Sequence, residues 1–383
     1  MTTSRIVIAF GILSAISWLV HRYVWARLIR DAGWPSTWSG ALTMAMFTLA
    51  ALVPIVFVSM RVLPRAVLSP LAWVVYSWMG FALYLFLLTA ISDLARGLAA
   101  MAGILPADPG RRQVLARTLA AAVGGVSALV GIGGLANVAR GFVVRKVRVP
   151  LAKLPKSASG YAIVQMTDVH VGPTLGRHFI ESVVRETNAL APDMIVITGD
   201  LVDGTVEELR EHVEPLRGLR AKDGVFFVTG NHEYYSGADE WISHLRTLGI
   251  RVLRNERVAV KDAFDLAGVD DTSAARMLEH HGQDVAGALS GRDPSRAVVL
   301  LAHQPKAVKE ACAHRVDLQL SGHVHGGQMV PFNWLARLDQ PLIAGLHRVQ
   351  DTWVYVSTGT GYWGPPMRVG SGSELTRIEL VSV

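Results

Sequence analysis

The 383-residue chain has little of two things, cysteine and charge. Its single cysteine, Cys312, can form neither an intrachain disulfide nor a cysteine-based zinc cluster, so any bound metal must be held by His, Asp, Glu or Asn. Charged residues make up only 18% of the chain and hydrophobic residues make up 51%. This composition is more apolar than a purely soluble enzyme requires.

Acidic residues are scarce in the first part of the chain. Residues 1–150 hold 14 Lys and Arg against 3 Asp and Glu, whereas residues 151–383 hold 23 against 28. The basic excess lies between apolar runs, as arginines that flank membrane spans do. An overall basic charge would otherwise suggest nucleic acid as a partner, but this distribution makes nucleic-acid binding an unfavoured interpretation.

Three long runs contain no charged residue, namely Thr37–Met60, Ala66–Ile91 and Thr118–Val138. Each is long enough to cross about 30 Å of hydrocarbon at about 1.5 Å per residue. A shorter run, Ile6–Val20, is a fourth candidate. The sequence therefore predicts a membrane domain over residues 1–138 with about four transmembrane helices, and an integral, multi-pass protein.

The composition and the hydrophobic pattern of the sequence change after Val138. We interpret residues 139–157, which are basic and contain proline, as a linker. From residue 158 onward, short apolar runs alternate with polar stretches of helical periodicity, which predicts an α/β domain over residues 158–383. The runs have the length and composition of buried strands, and they are Tyr161–Met166, Met194–Thr198, Val225–Thr229, Ala297–Leu301, Val316–Leu320 and Trp353–Ser357.

Side chains that bind metals follow five of these runs. They are Asp168 and His170 after the first run, Asp200 and Asp203 after the second, Asn231, His232 and Glu233 after the third, His303 after the fourth, and His323 and His325 after the fifth. Any one of these segments after a strand, which we call strand tails, is typical of an ordinary turn. Because ligands bind outside the carboxyl ends of strands in α/β sheets, the five together predict one metal site.

The ordered set Asp-x-His, Gly-Asp, Gly-Asn-His-Glu, His and Gly-His-x-His resembles the calcineurin-like metallophosphoesterases over residues 158–383. The stretches GDLVDG, GHVHGGQ and STGTGYWGPPMRVG are similar to patterns of the membrane-associated bacterial branch of that superfamily. The resemblance implies a two-sheet αββα sandwich with the metal site at the C-terminal ends of the strands. It also implies a location in a bacterial inner or cell membrane.

The resemblance further implies two divalent ions, which could be Mn, Fe, Zn or Mg. One ion would be held by Asp168, His170, Asp200 and His325, and the other by Asp200, Asn231, His303 and His323. Asp200 would bridge them, and an anionic bridge suits two cations that otherwise repel each other strongly. Nitrogen and oxygen donors without sulfur exclude soft-metal sites but do not choose among these four metals.

The expected nucleophile is a hydroxide shared by the two ions, because bound cations lower the pKa of water. In the family, the histidine at the position of His232 approaches the leaving oxygen, so we assign His232 and the adjacent Asn231 to the catalytic set, with His232 as general acid. Asp203 and Glu233 are expected to orient ligands or loops. Residues 326–328 could let backbone approach a phosphate, or could form only the turn that positions His325.

The predicted function is that of a membrane-anchored, metal-dependent phosphoric ester hydrolase that acts on phosphate ester or pyrophosphate bonds. The expected substrate is phosphorylated and is lipid-linked or close to the membrane. One alternative is a non-catalytic membrane scaffold that keeps the fold, although such a protein would be expected to have lost ligands. The other is a nucleic-acid phosphodiesterase, which the acidic balance of residues 151–383 disfavours.

Two signals disagree about the side of the membrane on which the site lies. Arg111 and Arg112 precede the last apolar run and resemble a twin-arginine export signal, although they could be an ordinary helix-flanking pair. The basic residues after Val138 favour a cytoplasmic location by the positive-inside tendency. We expect the catalytic domain to be extracytoplasmic.

Overall fold

The computed structural model describes residues 3–60 and 63–383, and for residues 3–7 and 9 it describes the backbone only. The chain divides into two compact units. The first consists of Met1–Ala139 together with Gly364–Met367, and the second of Arg140–Trp363 together with Arg368–Val383.

Over its described residues the first unit contains four α-helices, which are α1 (Thr3–Trp25), α2 (Ser36–Ser59), α3 (Arg65–Met101) and α4 (Pro109–Ala139), and a π-helical turn at Ala26–Arg30 continues α1. Among the described residues, α2, α3 and α4 are long and apolar enough to cross a membrane. Each carries large apolar side chains on its outside, such as Ile55, Val74 and Leu129, as expected of surfaces that face lipid. Three of the four expected spans thus correspond to apolar helices. The fourth, Ile6–Val20, remains a prediction, since Ile6, Val7 and Ala9 have side chains outside the described residues.

The second unit contains twelve strands in two six-stranded sheets. The first sheet has the order β1-β12-β2-β3-β4-β5 and the second has the order β10-β11-β9-β8-β7-β6. The strands are β1 (Val143–Leu151), β2 (Tyr161–Met166), β3 (Met194–Thr198), β4 (Val225–Val228), β5 (Arg251–Val252), β6 (Glu256–Val260), β7 (Phe264–Gly268), β8 (Ala297–Leu301), β9 (Leu318–Ser321), β10 (Gly345–Val349), β11 (Thr352–Val356) and β12 (Glu374–Ser382).

Seven shorter helices complete this unit. They are α5 (Arg177–Ala189), α6 (Val206–Val213), α7 (Asn231–Ser236), α8 (Ala238–Thr247), α9 (Val285–Ala288), α10 (Val308–Ala313) and α11 (Phe332–Ala336). One apolar cluster joins the inner faces of the two sheets and includes Ile163, Val299 and Tyr355. A second cluster covers the outer face of the first sheet with α5 and α8, where Trp241 is fully buried. The expected two-sheet αββα sandwich is confirmed.

The expectation of a linker over residues 139–157 differs from the structure, because residues 143–151 form β1. This strand pairs in parallel with β12 over its whole length. Two of its exposed basic side chains form ion pairs with β12, Arg145 with Glu374 at 2.8 Å and Arg148 with Glu379 at 3.1 Å. Charged side chains are common on edge strands, so the composition of an edge strand is easily mistaken for that of a connector.

Candidate metal centre

The side chains that follow β2, β3, β4, β8 and β9 meet at one end of the two sheets. Within each sheet these strands are parallel neighbours, so their carboxyl ends lie at the same edge. Five of the residues in these tails have positive φ angles that non-glycine residues seldom adopt: 52° at Asp168, 54° at His170, 52° at Asp200, 73° at His323 and 53° at His325. Backbone strain of this kind concentrates at functional sites.

Asp168, His170 and His325 form one group of donors whose ligand atoms lie within 4.8 Å of one another. The Nε2 atoms of His170 and His325 are 3.0 Å apart, and His325 Nε2 lies 3.5 Å from Asp168 Oδ1. All three residues are buried. Nitrogen atoms so placed suit two imidazoles that share one cation.

Asp200, His303 and His323 form a second such group. His303 Nε2 lies 3.1 Å from Asp200 Oδ2, and the rings of His303 and His323 have centroids 5.0 Å apart. Asp200 also faces the first group, since its Oδ2 lies 3.9 Å from His170 Nε2. This carboxylate therefore lies between the two groups.

Three buried polar atoms around Asp200 have no hydrogen-bond partner among the described residues. They are Asn231 Oδ1, His303 Nε2 and His323 Nδ1. His303 Nε2 lies 3.1 Å from Asp200 Oδ2, but the contact lacks hydrogen-bond geometry. Buried polar atoms normally have partners, so three such donors in one place fit a divalent cation.

Two glycines allow the loops to approach this closely. A Cβ atom at Gly230 would collide with the carboxylate and the backbone nitrogen of Asp200. A Cβ at Gly322 would collide with the side chains of Thr167 and Asp168. Glycine is thus required at positions 230 and 322, because one ligand loop packs closely against another there.

The protonation states of His323, His325 and Asp200 favour metal binding, whereas without metal burial raises the pKa of Asp168, and the Asp200 carboxylate outweighs burial and raises the pKa of His303 well above its usual range. Burial and the neighbouring His303 lower the pKa of His323 to about 3. Burial, His170 and the Arg368 guanidinium hold the pKa of His325 well below its usual range. For Asp200, burial alone would raise the pKa, but the surrounding imidazoles outweigh it and hold the pKa well below the usual value. A neutral imidazole and an ionised carboxylate are the forms that bind a cation.

His232 lies at the edge of the two groups and retains some exposure, with 14% of its side chain accessible. Its Nδ1 is 2.5 Å from Asp203 Oδ1, and the same oxygen lies 3.1 Å from His170 Nδ1. One carboxylate oxygen therefore accepts from both imidazoles, which directs the Nε2 atom of each towards Asp200. Asp203 acts on the site by orienting His170 and His232, in line with its expected role.

Glu233 takes no part in either group of donors. Its carboxylate accepts hydrogen bonds from the backbone N–H groups of Asp200, Leu201 and Gly230, at 3.0, 2.8 and 2.6 Å. It thereby joins the loops that follow β3 and β4. This is the loop-orienting role that the sequence analysis expects for Glu233.

Arg368 is a residue that sequence reasoning missed. It is only 1% exposed, and its guanidinium donates to the backbone carbonyls of Thr358, Gly361 and His325. Its Nη2 also lies 3.1 Å from His325 Nδ1, which orients that ring. An arginine 43 positions away from His325 gives no local signal of this contact.

Two exposed aromatic rings flank His232. The ring of Tyr235 lies 5.2 Å from that of His232, and the ring of Trp363 lies 5.6 Å away, measured between centroids. Both side chains are more than half exposed, whereas Tyr234 and Tyr362 are buried. Tertiary packing thus separates the exposed aromatic residues beside His232 from the buried ones next to them in the sequence.

The chain was compared with protein families and with known proteins. A family model described as calcineurin-like phosphoesterase matches residues 161–327. The chain is 43% identical over 267 residues to a transmembrane protein with metallophosphoesterase domain from Danio rerio, covering 67% of this chain and 61% of that protein. It is 40% identical over 240 residues to an uncharacterized metallophosphoesterase of Helicobacter pylori (strain ATCC 700392 / 26695), covering 62% of this chain and 64% of that protein.

A shorter relative is matched over most of its length. The chain is 35% identical over 239 residues to an uncharacterized metallophosphoesterase of Aquifex aeolicus (strain VF5), covering 62% of this chain and 91% of that protein. The chain spans about 61% of the length of the Danio rerio relative. Relatives of this kind occur in bacteria and in animals, and the Danio rerio relative is named as a transmembrane protein, in agreement with the three apolar helices found among the described residues. The match to the family model and the similarity to these relatives show that the chain belongs to the calcineurin-like phosphoesterase family.

Proposed function

We propose that this protein is a membrane-anchored hydrolase of phosphate ester or pyrophosphate bonds that uses two divalent metal ions. The observation that carries the proposal is the set of buried donors without partners around Asp200, namely Asn231 Oδ1, His303 Nε2 and His323 Nδ1. A domain that served only as a scaffold would have no reason to keep such atoms uncompensated in its interior.

The two ions, when bound, would supply an activated water and neutralise the phosphoryl oxygens. Asp168, His170 and His325 would hold one ion, and Asn231, His303 and His323 the other, with Asp200 shared by both. A side chain of the protein would supply the proton that the leaving group needs. His232 has its Nδ1 engaged by Asp203, so only Nε2 is available to donate a proton to the leaving oxygen.

The proposed substrate is a phosphorylated molecule that is lipid-linked or lies at the bilayer. Three helices long and apolar enough to span a membrane support this substrate class, because they would keep the site near lipid. The exposed rings of Tyr235 and Trp363 beside His232 support an apolar leaving group. Stacking and apolar contact with such rings would position the leaving oxygen near His232.

The experiment compares substrates and metals on the full chain. A truncation at residue 151 would remove β1, which pairs with β12 along its length, so the intact protein is purified in detergent. It is stripped with a chelator and reloaded with Mn, Fe, Zn or Mg. Hydrolysis of a phosphate monoester, a phosphodiester and a lipid pyrophosphate is then measured, with a single-stranded oligonucleotide as a further substrate.

The expected result is metal-dependent hydrolysis that is greatest with a lipid-linked substrate. The matched controls are Asp200→Asn, which removes the shared carboxylate, and His178→Ala, which removes a fully exposed histidine on α5. Absence of hydrolysis with every metal and substrate, in protein that binds two ions, would favour the scaffold alternative. Preference for the oligonucleotide would favour the nuclease alternative.

We also propose that the catalytic domain faces the extracytoplasmic space. Arg111 and Arg112, which support this orientation, lie in the first turn of α4, where the backbone N–H of Arg111 donates to Asp108 Oδ1. The test adds protease to cells stripped of any outer barrier and compares the parent with an Arg111→Lys, Arg112→Lys double variant. Cleavage in the parent and protection in the double variant are expected. Protection in both strains would place the domain in the cytoplasm.

A further inference from the structure

The phosphoesterase domain carries a dense group of exposed apolar side chains just after the last metal-binding motif. Val330, Phe332, Trp334, Leu335 and Leu338 are 36%, 43%, 66%, 56% and 84% exposed. They fall within nine residues that include the short helix α11, and we call Val330–Leu338 the apolar segment. Leu338 is more exposed than any other large apolar residue of the chain for which exposure is described.

The exposure of the apolar segment does not result from a loose backbone. The N–H of Phe332 donates to Met329 O at 2.8 Å, and that of Trp334 donates to Pro331 O at 2.9 Å. On the inner side, Ala336 packs against a buried cluster that contains Val308 and Val354. The segment is therefore held in place by its small residues while its largest side chains point outward.

The apolar segment is joined to the edge of the metal centre through Gln328. The side chain of Gln328 exchanges two hydrogen bonds with the backbone of Trp363, at 2.8 and 3.0 Å. The exposed ring of Trp363 in turn lies 5.6 Å from His232. Exposed apolar surface is thus present both beside His232 and in the segment that follows the metal-ligating loop.

The charges in the apolar segment also limit what it can bind. Arg337 is exposed among the apolar side chains. The adjacent acid, Asp339, is paired with Lys306 at 3.1 Å, so it opposes an anionic partner less than a free carboxylate would. Exposed Trp, Phe and Leu side chains with a basic residue among them are typical of segments that lie in the interface of a bilayer.

We propose that the apolar segment is a lipid-contacting surface that inserts into the headgroup region of a bilayer. A lipid surface is favoured over a second protein because three helices among the described residues are suited to span a membrane. The tether keeps lipid at high effective concentration near the domain. Insertion by about 5–10 Å, as is usual for interfacial segments, would bury Trp334 and Leu338 and leave the Arg337 guanidinium among lipid phosphates. This lipid contact does not depend on the proposed hydrolytic activity.

The test measures lipid contact directly in the full chain. Cys312 is the only cysteine, so a Cys312→Ser background allows single-site labelling. Leu338→Cys and, separately, Trp334→Cys are labelled with an environment-sensitive fluorophore. Met277→Cys is the matched control, because Met277 is another exposed large apolar residue of the same domain, 42% exposed and outside the apolar segment. The proteins are reconstituted in vesicles of phosphatidylcholine and phosphatidylglycerol, with and without lipids spin-labelled near the headgroup.

We expect the emission of probes at positions 334 and 338 to be shifted to shorter wavelength in vesicles. We also expect them to lose most of their fluorescence when spin-labelled lipid is present. The probe at position 277 should show neither change. Far-ultraviolet circular dichroism of each variant, measured in parallel, reports whether the domain is folded. Equal behaviour at positions 338 and 277 would overturn the proposal, as would a blue-shifted probe at position 338 that lipid does not quench and that cross-links to a second copy.

Discussion

Replacement of His232 by alanine should slow hydrolysis by an amount that depends on the leaving group. The imidazole has one nitrogen engaged by Asp203 and directs the other into the site, 4.0 Å from Asp200 Oδ2. A proton delivered from Nε2 is needed when the leaving group is a poor one, such as an alkoxide. An activated phenolate departs without it.

The protonation state of His232 decides whether it can act as a general acid. Burial by itself lowers the pKa of the imidazole, but the Asp200 and Asp203 carboxylates outweigh burial and raise that pKa to about 9 without bound metal. Bound cations would lower it again towards the range in which a general acid is effective at neutral pH. Loss of a general acid typically costs about 10²–10⁴ in rate, or roughly 3–5 kcal/mol of transition-state stabilisation.

The assay compares kcat/KM for an alkyl phosphodiester and for a nitrophenyl phosphodiester in the parent protein and in His232→Ala. A large loss with the alkyl ester and a small loss with the nitrophenyl ester are expected. His178→Ala on α5 controls for the loss of a histidine as such, because its side chain is 99% exposed. Equal losses for the two esters, with metal content unchanged, would refute the assignment of His232 as the proton donor.

The remaining predictions concern the shared carboxylate, the orienting residues and the protonation of the site. Asp200→Asn should reduce bound metal and lower turnover by orders of magnitude while far-ultraviolet circular dichroism stays unchanged; near-normal turnover with one bound metal would argue against two-ion chemistry. Asp203→Asn should weaken metal binding and activity by about 10–100-fold, because Asp203 Oδ1 orients the imidazoles of both His170 and His232 and the amide would lack its negative charge. Metal titration together with kinetics checks this. In metal-free protein, the raised pKa of His232 should stabilise the fold fully below about 6.5, and this stabilisation should be lost as the pH rises through about 9; a Tm that is measured against pH and shows no greater decline than in His232→Ala would contradict it. Arg368→Met should lower the free energy of unfolding by roughly 3–5 kcal/mol, since it leaves several buried carbonyls unpaired, whereas Arg185→Met at an exposed position should change it little; thermal unfolding of both variants gives the comparison.

Much of the architecture could be predicted because it depends on local pattern. Buried parallel strands are short, apolar and rich in β-branched residues, so Met194–Thr198 and Ala297–Leu301 were predicted with the bounds that the structure shows. The strand predicted at Val316–Leu320 is instead Leu318–Ser321, because the backbone N–H of Val316 still bonds back to Ala311 O of α10. The strand β1 was not predicted, because an edge strand can carry basic side chains where a central strand cannot.

The donors of the candidate metal centre could also be identified from the sequence, and the reason is topological. Each of them follows directly after a strand, and parallel strands of one sheet end at the same edge, so topology brings Asp168 to Asp200 in the first sheet and His303 to His323 in the second. The packing of the two sheets against each other then brings the two pairs together. The sequence alone also separates the apolar runs of the first 138 residues from the α/β pattern that follows.

The contacts that orient these donors were decided by tertiary structure alone. Asp203 orients two imidazoles from different strand tails, Arg368 reaches His325 across 43 positions, and Tyr235 is exposed beside His232 while the adjacent Tyr234 is buried. None of these contacts repeats with the period of a helix or a strand. They depend on side-chain direction and on distances between loops that only the packed sheets define, so no pattern along the chain encodes them.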